Sequence, residues 1–437
     1  MEIAIKAAQF ILSLSFLIVL HELGHYIPAK IFKTRVEKFY LFFDYKFSLF
    51  KKKIGETVYG IGWIPLGGYV KISGMIDESM DTEQMQKPAQ PWEFRSKPAW
   101  QRLIIMLGGV FVNFLLGILI YIMITFVWGV DYVKPNDVKN GFAVHETFQE
   151  FGFENGDKIL AINGEEPENV TDVNKHLFLR NVSSIKVAHS NGNTETIQLP
   201  EDIGDIMWQN GVLEPFVVQF DPVIYKVSEN SPAEKVGLQE GDKILEANGK
   251  PIDYWNNFSK EVVTSEGDVT LKVERQGTIE TFTVLPNENK KLGVGFNPKS
   301  SINVTTKKFS FGESIVKGNS LAIWTLKDYI KQFKYVFTKK GAQSIGGFIA
   351  IGNIFPATWS WKAFWGITAF LSILLGFMNL LPIPALDGGH VMFTLYEIVS
   401  GRKPNDKFLE YAQITGFILL MGLLLLANGN DIIKLFS

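Results

Sequence analysis

His21-Glu22-Leu23-Gly24-His25 closes an apolar run, residues 3–20, broken only by Lys6, Gln9 and a few serines. With its flanks the run reaches the roughly 20 residues that carry a helix across a bilayer. Residues four apart share one helix face, so His21 and His25 can present two imidazoles to a single ion. Glu22 stands beside them, placed to take a proton from an activated water. Two polar rings and a carboxylate are costly in lipid unless they serve one another or a ligand. One zinc ion per chain is the ligand this pattern calls for. The plain alternative is a polar cluster that satisfies itself.

The composition narrows the choice. No cysteine occurs among the 437 residues, so thiolate ligands are excluded and His, Asp or Glu must complete a metal site. A net charge of −2 offers no basic excess for nucleic acid. No small-residue cleavage site precedes the motif, which argues for a retained span at residues 1–29 over a signal peptide.

Three further stretches are long and apolar enough to span: 103–129, 362–390 and 410–428. The expected fold is therefore a polytopic α-helical membrane protein of four spans. Lys30, Lys33, Arg35, Lys38, Arg95, Lys97 and Arg102 crowd the loop at 30–102, and Arg402, Lys403 and Lys407 the loop at 391–409. Positive charge marks both loops as cytoplasmic, leaving the termini, the tail at 429–437 and residues 130–361 outside. Within the first loop, residues 38–50 and 57–72 carry β-branched and aromatic residues broken by glycines, which reads as two short hairpins. The second, around Gly67 and Gly68, is apolar enough to re-enter the membrane, cover the metal and offer a strand edge to an extended peptide. An ordinary cytoplasmic sheet is the alternative. Residues 75–92 read as a polar connection.

The external region repeats itself. Gly156-Asp-Lys-Ile-Leu160 returns as Gly241-Asp-Lys-Ile-Leu245, and Asn163-Gly164 as Asn248-Gly249. Two tandem α+β domains, 130–217 and 218–299, follow from that duplication. At 300–361 an amphipathic helix, residues 311–337, interleaves aromatics with lysines, as on a membrane surface or against the repeats. The apolar piece at 348–355 is too short to span and reads as a bordering loop.

Two histidines leave a zinc site incomplete, since catalytic zinc takes three protein ligands. The third span ends in Asn379-Leu-Leu-Pro382-Ile-Pro384-Ala-Leu-Asp387-Gly388-Gly389-His390. A carboxylate, an amide and two helix-disrupting prolines at a membrane boundary need a purpose. Asp387 is the natural third ligand, freed by a turn at Gly388. His390, one helical turn on, is its competitor or its hydrogen-bond partner.

The HExxH of the first span, the N-x-x-P-x-x-x-x-D-G from Asn379 to Gly388, and the repeats between them resemble the site-2 proteases. These are intramembrane zinc metalloproteases. The likeness is closest to the bacterial regulator of sigma-E protease type, with four spans and two PDZ domains. Ser231-Pro-Ala before Gly237-Leu238 and Gly241-Asp242 matches the PDZ pattern closely, and the first copy matches it less well. The resemblance implies a bacterial inner-membrane enzyme that cuts the transmembrane segments of single-span proteins, such as an anti-sigma factor or remnant signal peptides. Zinc would be held by His21, His25 and Asp387, with Glu22 as general base. Asn379 would contact the substrate backbone, aided by Pro382, Pro384, Gly67 and Gly68, while Asn113 and His390 would steady the ligands. The PDZ pair would admit substrates already trimmed by another protease, and could bind a peptide. The chain departs from the family at Gly108-Gly109-Val110, where Ala-Gly-Pro is common, and at Phe348, where proline is frequent. The runner-up function is a membrane PDZ scaffold or receptor keeping zinc for structure. Structural sites normally close with four protein ligands, and Glu22 would then have no purpose.

Overall fold

Leucine, isoleucine, alanine and phenylalanine dominate residues 2–20 and favour a helix whose backbone satisfies its own polar groups. In the computed structural model, which describes residues 2–75 and 88–436, that helix is α1 (Glu2–Ile31), continuing past His25 and over Pro28. Most of the polar connection expected at 75–92 lies outside the described residues. Among the described residues four helices are long and apolar enough to cross a membrane: α1, α2 (Ala99–Trp128), and two after the repeats. The chain divides into two compact units, one formed by Met1–Gly129 with Lys308–Ser437, the other by Val130–Lys307.

In the first unit a four-stranded sheet follows α1: β1 (Val36–Phe43), β2 (Phe50–Ile54), β3 (Thr57–Ile61) and β4 (Ile64–Ile72). Its order is β2-β3-β1-β4, with β1 parallel to β3 and antiparallel to β4. Both expected hairpins are therefore corrected: β1 does not pair with β2, β3 and β4 flank β1 without pairing, and the hairpin that forms is β2–β3. The chain crosses the end of β1 at Gly62, whose amide donates to the Leu41 carbonyl. A Cβ there would lie 2.2 Å from the Phe43 carbonyl oxygen, so only glycine permits this crossing. β4 is left as an edge strand lying against α1.

After the repeats come α3 (Phe311–Phe333), α4 (Trp361–Leu380), α5 (Asp387–Ser400) and α6 (Asp406–Phe436). Two expected boundaries move. The third span stops at Leu380, because Pro382 and Pro384 lack the amides a helix needs, and Asp387 starts a separate helix in place of a turn. That new helix fills most of the expected loop at 391–409. The expected tail at 429–437 instead continues α6 to Phe436.

α3 packs on α2 and α4. Its buried residues are the small ones, Ser314, Gly318 and Ala322, one turn apart. A Cβ on Gly318 would sit 2.6 Å from the Ile122 backbone. Thr325 donates to the Tyr121 hydroxyl, and Tyr329 stacks edge-on with Phe377. Ile315, Trp324 and Ile330 remain exposed, giving the helix an apolar outer face of the kind lipid covers. The short apolar piece is also helical (Phe348–Ile354), its first amides bonded to the Asp431 carboxylate.

In the second unit two cores form separately, one around Phe142, Phe148, Ile159 and Ile185, the other around Ile244, Leu271 and Val273. Lys158 pairs with Ala188 in the first and Lys243 with Glu274 in the second, the same register one repeat on. Asn163-Gly164 and Asn248-Gly249 both turn through positive φ. Thr305–Lys307 pairs with Val130–Tyr132, so residues 300–307 belong to this unit and not to the amphipathic segment.

Candidate metal centre

α1 delivers His21 and His25 one turn apart, and α5 brings Asp387 at its first residue. The His21 and His25 Nε2 atoms lie 3.3 Å apart, and Asp387 Oδ2 is 3.4 Å and 3.3 Å from them. A tetrahedral ion with bonds of about 2.0–2.1 Å has ligand–ligand edges of about 3.3–3.4 Å. The triangle fits zinc. Asp387 Oδ2 is buried with no hydrogen-bond donor among the described residues, as a ligand oxygen would be. His390 lines the same cavity from α5 but stands outside the trio.

The far nitrogens are held as well. His25 Nδ1 donates to the Ile105 carbonyl at 2.9 Å, which leaves its Nε2 lone pair toward the ion. His21 Nδ1 faces the Asn113 amide at 3.1 Å, while Asn113 Oδ1 is buried and unpartnered. Turning that amide over lets Oδ1 accept the His21 N–H and satisfies both groups. Asn113 thus sits where a ligand-orienting group belongs. Asn379, near the end of α4, brings its amide within 3.3 Å of His21 Nε2.

Glu22 shares the cavity with Gly68, Tyr69 and Val70 of β4. Gly68 explains why that strand lies so near: a Cβ there would press on Ile18 at 2.5 Å. Gly67 meets the Phe43 ring in the same way, at 3.0 Å. Pro384 packs its backbone on Gly389 and Gly416, and Ala385 adopts φ 78°, a conformation that only its surroundings sustain. Its amide donates to the Gln413 side chain, tying the segment to α6. Pro382 lies in the same non-helical segment between α4 and α5. The cavity over these groups holds about 380 Å³.

Sequence reasoning missed what lets the helices meet. A Cβ on Gly24 would fall 2.4 Å from the Gly108 carbonyl oxygen, and one on Gly109 would fall 2.3 Å from His25 Nε2. The family departure at Gly108-Gly109 therefore sits at the contact between α1 and α2. The available signal was a glycine in each of two consecutive spans.

Comparison with known proteins agrees with this geometry. The profile of peptidase family M50 matches residues 9–423. A regulator of sigma E protease from Haemophilus influenzae is 32% identical, over 98% of both chains. The regulator of sigma-E protease RseP of Escherichia coli is 29% identical, again over 98% of both. A protein of Neisseria meningitidis named as a zinc metalloprotease is 28% identical over 98% of this chain and 99% of its own. With that match running through nearly the whole chain, the protein belongs to peptidase family M50, the site-2 proteases, and is a zinc metalloprotease.

Proposed function

We propose that the protein cleaves the transmembrane segments of single-span proteins, using one zinc ion held by His21, His25 and Asp387. The carrying observation is the triangle of His21 Nε2, His25 Nε2 and Asp387 Oδ2, with edges of 3.3–3.4 Å. When bound, zinc supplies Lewis acidity that polarises a carbonyl and acidifies water. The chain's own groups do the rest. Glu22, which lines the cavity beside the two imidazoles, takes the proton of the attacking water and returns it to the leaving amine nitrogen.

A helical substrate hides its carbonyls in its own hydrogen bonds, so it must unwind first. β4 is an edge strand beside Glu22, and its free edge pairs with the unwound segment. Gly67 and Gly68 keep that approach open, and the Asn379 amide holds a freed carbonyl. The rigid segment containing Pro382 and Pro384 shapes the opposite wall.

The relatives' names tie them to sigma-E regulation; an anti-sigma factor and remnant signal peptides are single-span substrates that suit the site. The tandem repeats act as PDZ domains that pass substrates already trimmed by another protease. The enzyme resides in a bacterial inner membrane, with both termini and the repeats outside. Cleavage of a single-span test peptide, with zinc content measured in parallel, tests the reading. Glu22→Gln is expected to retain zinc and lose cleavage by at least about a hundredfold. Sustained cleavage would remove Glu22 from the mechanism.

A further inference from the structure

α2 supplies no ligand, yet it touches every ligand-bearing element. Its Ile105 carbonyl holds His25 and its Asn113 holds His21, both on α1. The third ligand sits on α5, a 14-residue helix reached through the non-helical segment 381–386. α5 needs its own connection to α2, and one is present. Arg102 Nη2 donates to Glu397 Oε1 at 2.6 Å, with side chains only 11% and 13% exposed. On the same helix, Val391 joins the buried cluster that holds Ile105 and Met106 of α2. Asp387, His390, Thr394 and Glu397 fall three or four residues apart and share one face of α5. The face that carries the ligand at one end therefore carries the anchor at the other.

Resting on the ligand set proposed above, we infer that Arg102 and Glu397 are positioning residues that register α5 on α2, so that Asp387 meets the two imidazoles. The lever is short and stiff. Ten helical residues span about 15 Å, so a tilt of about 4° displaces the carboxylate by about 1 Å. Among the described residues neither side chain has another charged partner, and Arg102 adds a bond to the Lys97 carbonyl. The bridge therefore sets the angle of α5 without entering the chemistry.

Zinc affinity of the purified full-length protein, read by competition with a fluorescent chelator, tests this. Arg102→Gln and Glu397→Gln should each weaken zinc binding by about 10- to 100-fold, the range seen when outer supports of metal ligands are lost. The swap Arg102→Glu with Glu397→Arg should recover most of it. Single variants strand a buried charge, so the neutral pair Arg102→Met with Glu397→Leu is the deciding one. It should keep a cooperative thermal transition without metal, bind zinc as weakly as the singles, and regain cleavage at saturating zinc. Wild-type zinc affinity in the folded neutral pair overturns the inference, and so does its failure to fold, which would make the bridge a folding element. Asp387→Ala is read alongside. Undiminished affinity there would refute the ligand set itself, a separate failure.

Discussion

Gly109 has no side chain because His25 Nε2 and His21 Cε1 occupy the space, 2.3 Å and 2.6 Å from where a Cβ would stand. The far side of that contact is rigid helix, so a methyl group would push the imidazoles off the metal position. Gly109→Ala is expected to lose zinc while keeping the helices, checked by metal analysis beside circular dichroism. Gly366→Ala in α4, with open space around its Cβ, is the silent control. Gly68 answers to the same rule on the other side of α1. Gly68→Val would drive β4 away from Ile18 and from the Glu22 side chain beside it. Cleavage should fall by about tenfold or more with zinc content unchanged, since no ligand moves. Equal loss of zinc would show that β4 supports the metal.

Between elements, the two repeats differ at one corner. In the second, Arg275 at the end of its strand binds Asp242 through two bonds of 2.7 Å and reaches Glu280 at 3.1 Å. The same register places His189 in the first, bonded to Asp157 at 2.7 Å and facing Glu195 at 3.5 Å and Glu154 at 3.8 Å. A fixed cation has become a titratable one. The hydrogen bond to Asp157 raises the His189 pKa above its ordinary value, and burial pushes the Asp157 carboxyl up as well. Both groups thus hold protons more tightly folded than unfolded. The bond's stabilisation is complete below the unfolded histidine value of about 6.5 and fades as pH rises through the raised one. Protection factors, with the intrinsic base-catalysed rate divided out, should fall in strands Lys158–Ile162 and Ser184–Ala188 as pH rises above about 6.5, while those of the second repeat stay constant. His189→Arg should abolish the difference. A wild-type profile flat across that rise would contradict it.

At the scale of the molecule, every group around the metal position lies in the unit formed by Met1–Gly129 and Lys308–Ser437. A ligand that binds only the folded state stabilises it by RT ln(1 + [L]/Kd), about 2.7 kcal/mol at a hundred times Kd. Zinc removal by a chelator should therefore lower the unfolding temperature of that unit and leave Val130–Lys307 unmoved. Calorimetry or probe-specific melts on the full chain would show one shifted transition and one fixed. A shift in both would mean that the units unfold together.

Much of this protein was readable along the chain, because the informative patterns are local. Four apolar runs marked four long helices, the spacing of His21 and His25 marked one helix face, and the recurring Gly-Asp and Asn-Gly marked a duplicated domain. Each depends on residues a few positions apart, and helix or turn geometry follows from that spacing alone. What the chain order hid was contact between distant segments. That β1 separates β3 from β4 and that α3 docks through its small residues were decided by packing, which also brings the expected Asp387, and not His390, to His21 and His25. Backbones approach only where side chains are absent, as at Gly24, Gly108 and Gly62, and a sequence does not say which glycine meets which partner.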